Sequence, residues 1–289
     1  MGLDRRNFLK ILGVAGTSLA VGKTFAEKPS AKTDPVEFKG ILYDSTRCLG
    51  CRSCERVCAK AHGLPEPAEV TDNKIIRKTD DTRYCVVNIY PTSKGDIPVK
   101  TQCMHCNEPA CAAACLTQAM YKTKEGPVIW RGDKCMGCRY CMVSCPFDVP
   151  KFQYHNANPM IVKCDMCYDK VQRGQIPTCA SMCPGDAITF GTRRELLTEA
   201  HKRIIENPKD YADFVYGEHV AGGTGEMYIA PVEPGELGLK TKLQNASYPA
   251  LTKGFLYSVP SVFVLLPPLL LGIYDATKKR VKEGGKNDE

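Results

Sequence analysis

The sequence contains no Walker motif, no G-x-G-x-x-G fingerprint and no Ser–His–Asp arrangement. Nucleotide hydrolysis, dinucleotide binding and triad acyl transfer therefore have no recognisable carrier in it. Gly222-Gly223-Thr224-Gly225 resembles a phosphate loop only superficially, since no strand–turn–helix context surrounds it and no lysine follows. Long uncharged apolar runs are scarce too. One covers residues 11–21 and the other residues 255–273. Acidic residues are outnumbered, 32 against 39 Lys and Arg, which leaves a formal charge of +7. Such an excess can signal nucleic-acid binding, but the cysteines remove that inference.

There are 17 cysteines, and 16 of them fall into four quartets. Cys48, Cys51, Cys54 and Cys58 read C-x2-C-x2-C-x3-C, as do Cys135, Cys138, Cys141 and Cys145, the last followed by Pro146. Cys103, Cys106, Cys111 and Cys115 read C-x2-C-x4-C-x3-C. Cys164, Cys167, Cys179 and Cys183 read C-x2-C-x11-C-x3-C, followed by Pro184. A cubane needs one thiolate per iron, and these spacings supply complete ligand sets for four [4Fe–4S] clusters. Structural zinc prefers two separated two-point clamps, which C-x2-C-x2-C fits poorly. Disulfides are the other rival in an exported chain. An oxidised cubane with four thiolates carries about −2, so four clusters add about −8 to the local charge. The basic residues within the motifs, Arg47, Arg52, Arg56, Lys134 and Arg139, are accordingly read as offsetting cluster charge rather than binding phosphate.

Both ends carry membrane signals. Arg5-Arg6-Asn7-Phe8-Leu9-Lys10 before a weakly apolar, Gly- and Ala-rich stretch reads as a twin-arginine (Tat) export signal over residues 1–26. That route carries folded proteins, so clusters can be inserted in a reducing cytoplasm. Near the other end, residues 255–273 are 19 residues without a charge. At 1.5 Å per residue they make ~28 Å of helix, close to the thickness of a bilayer core. Lys278, Lys279, Arg280 and Lys282 follow, which places the tail in the cytoplasm by the positive-inside bias. A buried apolar segment packed on a partner is the alternative. Pro260, Pro267 and Pro268 are tolerable in a membrane helix.

The predicted organisation is α+β: tandem ferredoxin-like 2[4Fe–4S] units with a C-terminal arm and one transmembrane helix. The four-cluster domain spans residues 41–192, a C-terminal helix and extended arm 193–252, the anchor 253–277 and a basic tail 278–289. In two-cluster ferredoxins the fourth cysteine ligates the other cluster. By that rule Cys103, Cys106 and Cys111 join Cys145, and Cys135, Cys138 and Cys141 join Cys115. Likewise Cys48, Cys51 and Cys54 join Cys183, and Cys164, Cys167 and Cys179 join Cys58. Cys85 has no cysteine neighbour at ligand spacing and reads as a buried strand residue in the β-rich run 84–90. His105 reads as a packing or hydrogen-bonding residue. Leu196, Leu197, Ala200 and Ile204 have helical spacing within residues 193–206, and residues 208–250 have no strong period.

Together these features resemble the ferredoxin-like electron-transfer subunits of respiratory oxidoreductases. Among these the chain resembles the Tat-exported, HybA-type iron–sulfur subunits of membrane-bound [NiFe] hydrogenase 2. The likeness is carried by Leu42-Tyr43-Asp44-Ser45-Thr46, Gln102-Cys103-Met104-His105-Cys106, Gly137-Cys138-Arg139-Tyr140-Cys141-Met142-Val143 and Phe190-Gly191-Thr192-Arg193. The resemblance implies a non-catalytic chain in a heteromeric complex of anaerobic respiration. Its partners would be the small and large hydrogenase subunits and an integral-membrane, quinone-reactive subunit. The chain would sit on the periplasmic side of the inner membrane with a single-pass C-terminal anchor. Formate dehydrogenase or another Mo/W oxidoreductase is the alternative source of electrons, and a non-redox zinc scaffold is the alternative class.

Overall fold

The computed structural model describes residues 37–70, 72 and 75–284. The expected export signal, residues 1–26, lies outside the described residues, as do residues 285–289 of the basic tail. The chain divides into two units: Val36–Leu251 and, among the described residues, the helical segment from Thr252 onward.

The larger unit is built on strand β1 (Lys39–Asp44). Ile41, Leu42 and Tyr43 are at most 1% exposed, so this strand is buried on both faces. It pairs antiparallel with β8 (Ile188–Thr192), Ile41 opposite Phe190, and parallel with β9 (Glu226–Ile229), Leu42 opposite Met227. Alternate side chains point to opposite faces. On one face Leu42, Met227 and Ile229 pack against Leu196, Ala200 and Ile204 of helix α6 (Arg193–Glu206). On the other, Ile41, Tyr43 and Tyr228 meet Val87, Ile97 and Val99 of a hairpin formed by β2 (Val86–Thr92) and β3 (Gly95–Thr101). Helix α6 starts at a capping box. Thr192 accepts from the Glu195 N–H and the Glu195 carboxylate accepts from the Thr192 N–H, which satisfies two otherwise orphaned donors.

The remaining elements are short. They are α1 (Ser53–Ala61), α2 (Ala110–Ala113), α3 (Tyr140–Val143), α4 (Tyr168–Gln172) and α5 (Thr178–Ser181). Two small hairpins lie among them, β4 (Met120–Lys122) with β5 (Val128–Trp130) and β6 (Lys151–Phe152) with β7 (Ile161–Val162). Helices of four or five residues have almost no stability of their own, and their cores include cysteine side chains as well as hydrocarbon.

Residues 208–250 differ from an extended arm, because they deliver β9 into the main sheet. Its four residues, Glu-Met-Tyr-Ile, are too few to show a period and open on an acid. The glycine run before it serves close packing. Gly222 and Gly223 have φ near +83° and +84°, and a Cβ on Gly222 would stand 2.6 Å from Ser247 Cβ. The final helix, α7 (Tyr248–Gly284), is 37 residues long and contains Pro260, Pro267 and Pro268. Its stretch Tyr248–Asp275 is long and apolar enough to cross a membrane by length and composition.

Two buried carboxylates tie the sequence-distant parts of the larger unit together. Asp44 accepts from Arg203 Nη1 at 3.1 Å and from the Tyr211 hydroxyl at 2.8 Å, which links β1 to α6. Glu55, fully buried on α1, accepts a bidentate pair from Arg77 at 2.9 and 2.6 Å, a further bond from Arg52 at 2.9 Å, and the Val87 N–H at 2.6 Å. Burial alone would raise its pKa. The bonds from Arg77, Arg52 and Val87 outweigh that and hold the carboxyl below its ordinary range. Arg77→Ala leaves this charge short of its main partner and should destabilise the unit by about 3 kcal/mol. The exposed pair Arg83–Asp80 is worth at most about 1 kcal/mol. The temperature at which visible cluster absorbance is lost anaerobically should fall in Arg77→Ala and stay put in Arg83→Ala.

Candidate iron–sulfur centres

Each cysteine loop repeats one backbone device. The residue before the second cysteine of every quartet is left-handed: Gly50 (φ 66°), His105 (φ 46°), Gly137 (φ 74°) and Met166 (φ 60°). This reversal curls the chain so that N–H groups turn toward sulfur. The Gly50 N–H reaches Cys48 Sγ at 3.5 Å, and the Met166 N–H reaches Cys164 Sγ at 3.4 Å. A second device follows the fourth cysteine in three quartets. Gln118, Asp148 and Asp186 are left-handed (φ 54°, 55° and 49°), and their N–H groups donate to the carbonyls of Cys115, Cys145 and Cys183 at 3.1–3.3 Å. The turn forms after Cys115 although Leu116 replaces the proline. The first quartet differs, because α1 runs on past Cys58 to Ala61.

The structure brings the cysteines together across quartets. Cys48, Cys51 and Cys54 line a hollow of about 340 Å³ with Cys183, beside Tyr43, Leu49 and Val87. Cys135, Cys138 and Cys141 line another of about 310 Å³ with Cys115, beside Met120, Trp130 and Ile161. Cys106 has its thiol pushed up to about 12 by burial and then by Cys103 and Cys145, and Cys111 is raised by burial and the same neighbours. Cys58 feels Cys164 and Cys179, and Cys179 feels Cys167. Contacts between groups place them in a row. Cys54 lies near Cys179, Cys164 near Cys103, and Cys111 packs with Cys141.

This donor set tests the cofactor. In each group burial and neighbouring thiols push the most enclosed sulfurs upward, with Cys141 and Cys179 both near 11. Clustered thiols at such values are a poor structural core. A bound cation converts them to thiolates and reverses the repulsion. Soft sulfur donors select Fe–S clusters or zinc. The charge around them calls for an anionic metal–thiolate complex, and the cysteine spacing favours iron–sulfur over zinc for that role. Lys100 is fully buried and Lys163 is 6% exposed, and both are raised by cysteine sulfurs against the cost of burial. Lys122, more open, donates to the His105 carbonyl at 3.1 Å, and burial lowers it to about 8. Glu226, a fully buried acid that acts on Lys100, is pushed up to about 7 by burial. Buried ammonium groups need anions, and thiolate-bound iron–sulfur clusters supply about two negative charges each.

These lysines lie outside the reach of motif reading. A signal did exist, in single lysines set among buried strand residues in Val99-Lys100-Thr101 and Ile161-Val162-Lys163-Cys164. Most motif arginines are engaged away from sulfur, while Cys51 is lowered, against the effect of burial, by hydrogen bonds with Ser53 and by the charge of Arg56. Arg52 holds Glu55, Arg47 holds Asp44, Arg56 bonds the Cys51 carbonyl, and Arg139 lies over Phe152 and Tyr154. His105 is fully buried and kept neutral by burial and by the three lysines. Its Nδ1 accepts from the Val128 N–H at 3.0 Å. Cys85 is 3% exposed and its Sγ lies 3.7 Å from the Cys54 carbonyl. His62, outside all four quartets, places Nε2 3.8 Å from Cys167 Sγ and 3.5 Å from Asp165 Oδ1.

A 4Fe-4S dicluster domain model matches residues 97–193. The hydrogenase-2 operon protein HybA of Escherichia coli O157:H7 is 30% identical, over 99% of this chain and the full length of that protein. The chain belongs to the 4Fe-4S dicluster family of iron–sulfur electron-transfer subunits. A protein of Nitratidesulfovibrio vulgaris is 43% identical over 97% of this dicluster chain and 78% of its own length. The formate dehydrogenase iron–sulfur subunit of Haemophilus influenzae is 30% identical over 79% of this chain and 73% of its own.

Family membership and buried charge make metal removal a direct test. Iron chelation under reducing conditions leaves the lysines uncompensated and the hollows open. The strand and short-helix signals of the 37–251 region should collapse in circular dichroism of the full chain, while the α7 signal persists in detergent. A milder probe is Gly137→Ala. No atom lies within 4 Å of the added methyl and φ is +74°, so the cost is that of the backbone alone, about 1 kcal/mol. The thermal midpoint for loss of visible absorbance should drop by a few degrees.

Proposed function

We propose that this chain relays electrons through four [4Fe–4S] clusters between a periplasmic [NiFe] hydrogenase module and a quinone-reactive membrane subunit. The observation that carries the relay is the row of four separate four-cysteine groups, with buried lysines among them. The hydrogenase assignment rests on the full-length likeness to HybA. The proposed ligand sets are Cys48, Cys51, Cys54 and Cys183; Cys58, Cys164, Cys167 and Cys179; Cys103, Cys106, Cys111 and Cys145; and Cys115, Cys135, Cys138 and Cys141. When bound, each cluster supplies a reversible one-electron couple.

The protein's own groups hold and tune these couples. Backbone N–H donors at Gly50, Met120 and Met166 face sulfur at 3.3–3.5 Å, and such bonds raise potentials. In this reading the domain of tandem ferredoxin-like units is exported by the Tat route with residues 1–26 as signal. Helix α7 is the single-pass anchor, over residues 253–277, and the tail 278–289 is cytoplasmic. Pro260, Pro267 and Pro268 free carbonyls within the helix, and membrane helices tolerate this when neighbours satisfy them. A quinone-reactive subunit packed on α7 would do so.

A second reading keeps the relay and replaces the catalyst with a formate dehydrogenase or another Mo/W enzyme. It is favoured by the equal identity to a formate dehydrogenase iron–sulfur subunit. Metal analysis of the complex from anaerobically solubilised membranes separates the two. Nickel with abundant iron is expected, and molybdenum or tungsten without nickel selects the second reading. The exchanged ligands have their own test. Cys58→Ser should remove the electron paramagnetic resonance signal of the centre at Cys164, Cys167 and Cys179. Loss of the Cys48–Cys51–Cys54 signal instead would refute the exchange.

A further inference from the structure

Lys100 lies on β3 opposite Val87 of β2, and its whole side chain is buried. An ammonium group there costs several kcal/mol before compensation, and hydrocarbon of the same length would fill the space more cheaply. Where this protein uses buried charge for structure, acid and base touch directly, as in Arg203–Asp44 and Arg77–Glu55. Lys100 is arranged otherwise. Its ammonium donates to Gln102 Oε1, and that oxygen stands 3.9 Å from Cys164 Sγ. The Gln102 amide nitrogen donates to Glu226 Oε2 at 2.5 Å. Glu226 Oε1 is buried and has no hydrogen-bond partner among the described residues. A neutral amide thus separates the cation from Glu226 and leaves the positive end beside the cysteines. Cys54 on one side and Cys58, Cys164 and Cys179 on the other all feel the ammonium.

We propose that Lys100 sets the reduction potentials of the two centres that flank it, with Glu226, held off by Gln102, as the opposing charge. This rests on the reading of those eight cysteines as iron ligands. A fixed positive charge between two sites stabilises an added electron on either and screens the repulsion between them when both are reduced. Glu226 acts with the opposite sign, as it does on Cys179. Neither residue donates a ligand. Both act through space on groups that do.

The experiment is a redox titration of the anaerobically purified complex in detergent, monitored by electron paramagnetic resonance. Signals are assigned through their loss in Cys→Ser variants. Lys100→Met should shift the one-electron equilibrium of the two flanking centres about tenfold toward the oxidised form, about 59 mV lower. The centre at Cys115, Cys135, Cys138 and Cys141 should not move. Lys100→Arg should keep the wild-type values. Glu226→Gln should move the same two centres upward. Iron and sulfide content, measured on every variant, should match the wild type. An unchanged potential in Lys100→Met, an equal shift of all four centres, or shifts of the same sign in Lys100→Met and Glu226→Gln would overturn the proposal. If Lys100→Met fails to retain iron, Glu226→Gln decides: an upward shift confined to the two centres supports it and no shift overturns it. Wild-type protein without iron would instead overturn the functional reading on which it stands.

Discussion

Charge neutrality in a dry interior is the constraint on which the rest depends. Lys100 and Lys163 are buried, and Glu226, an acid that acts on Lys100, is itself fully buried. Left alone, such groups would shed their protons or open the fold. Thiolate sulfurs would hold them charged, whereas burial favours the protonated form of the most enclosed thiols, such as Cys164 and Cys179, until metal binds. Protein cations and cofactor anions therefore require each other. This explains how the cysteine loops, carried by short helices and by hairpins of two- or three-residue strands, can stand up at all, since iron and sulfide complete cores that hydrocarbon does not fill.

The hydrocarbon that does exist is concentrated around β1. That strand carries β8 and β9 on its two edges, α6 on one face and the β2–β3 hairpin on the other. It therefore controls two distances. It leads straight into Cys48, and its partner β8 follows directly from Cys183, so strand pairing brings those sulfurs to one hollow. The hairpin carries Lys100 inward from the segment between the first two quartets. Glu55, bonded to the Val87 N–H, fixes that hairpin to the helix bearing Cys54 and Cys58.

Much of this was legible in the residue order. Quartet spacing pointed to the chemistry, the apolar spacing of Leu196, Ala200 and Ile204 marked a helix over residues 193–206, and the uncharged run 255–273 falls within α7. Other features were hidden for physical reasons. Strand β9 is short, starts with glutamate and follows a glycine run, so neither periodicity nor composition marks it. The lysines that matter electrostatically are single residues in strands, whereas the arginines inside the motifs, which attracted attention by position, bond to nearby carboxylates, a backbone carbonyl or aromatic faces. The left-handed turns at His105 and Met166 were equally silent, because a histidine or methionine there gives no conformational warning as Gly50 and Gly137 do.

The exchange of fourth cysteines also bears on the order in which the protein can be made. On the proposed ligand sets, the inner two centres close within residues 103–145, a span a ribosome completes early. The other two span residues 48–183 and 58–179, and the β1–β8 pairing that aligns the first of them waits for residues 188–192. Loops that long close slowly and gain nothing until their ends meet. The inner pair can thus acquire iron while the chain is still growing, whereas the outer pair is a terminal step. A chain halted before Cys164 would carry complete ligand sets for half its metal and neither edge strand of its main sheet, a difference that a quality-control step could read before release.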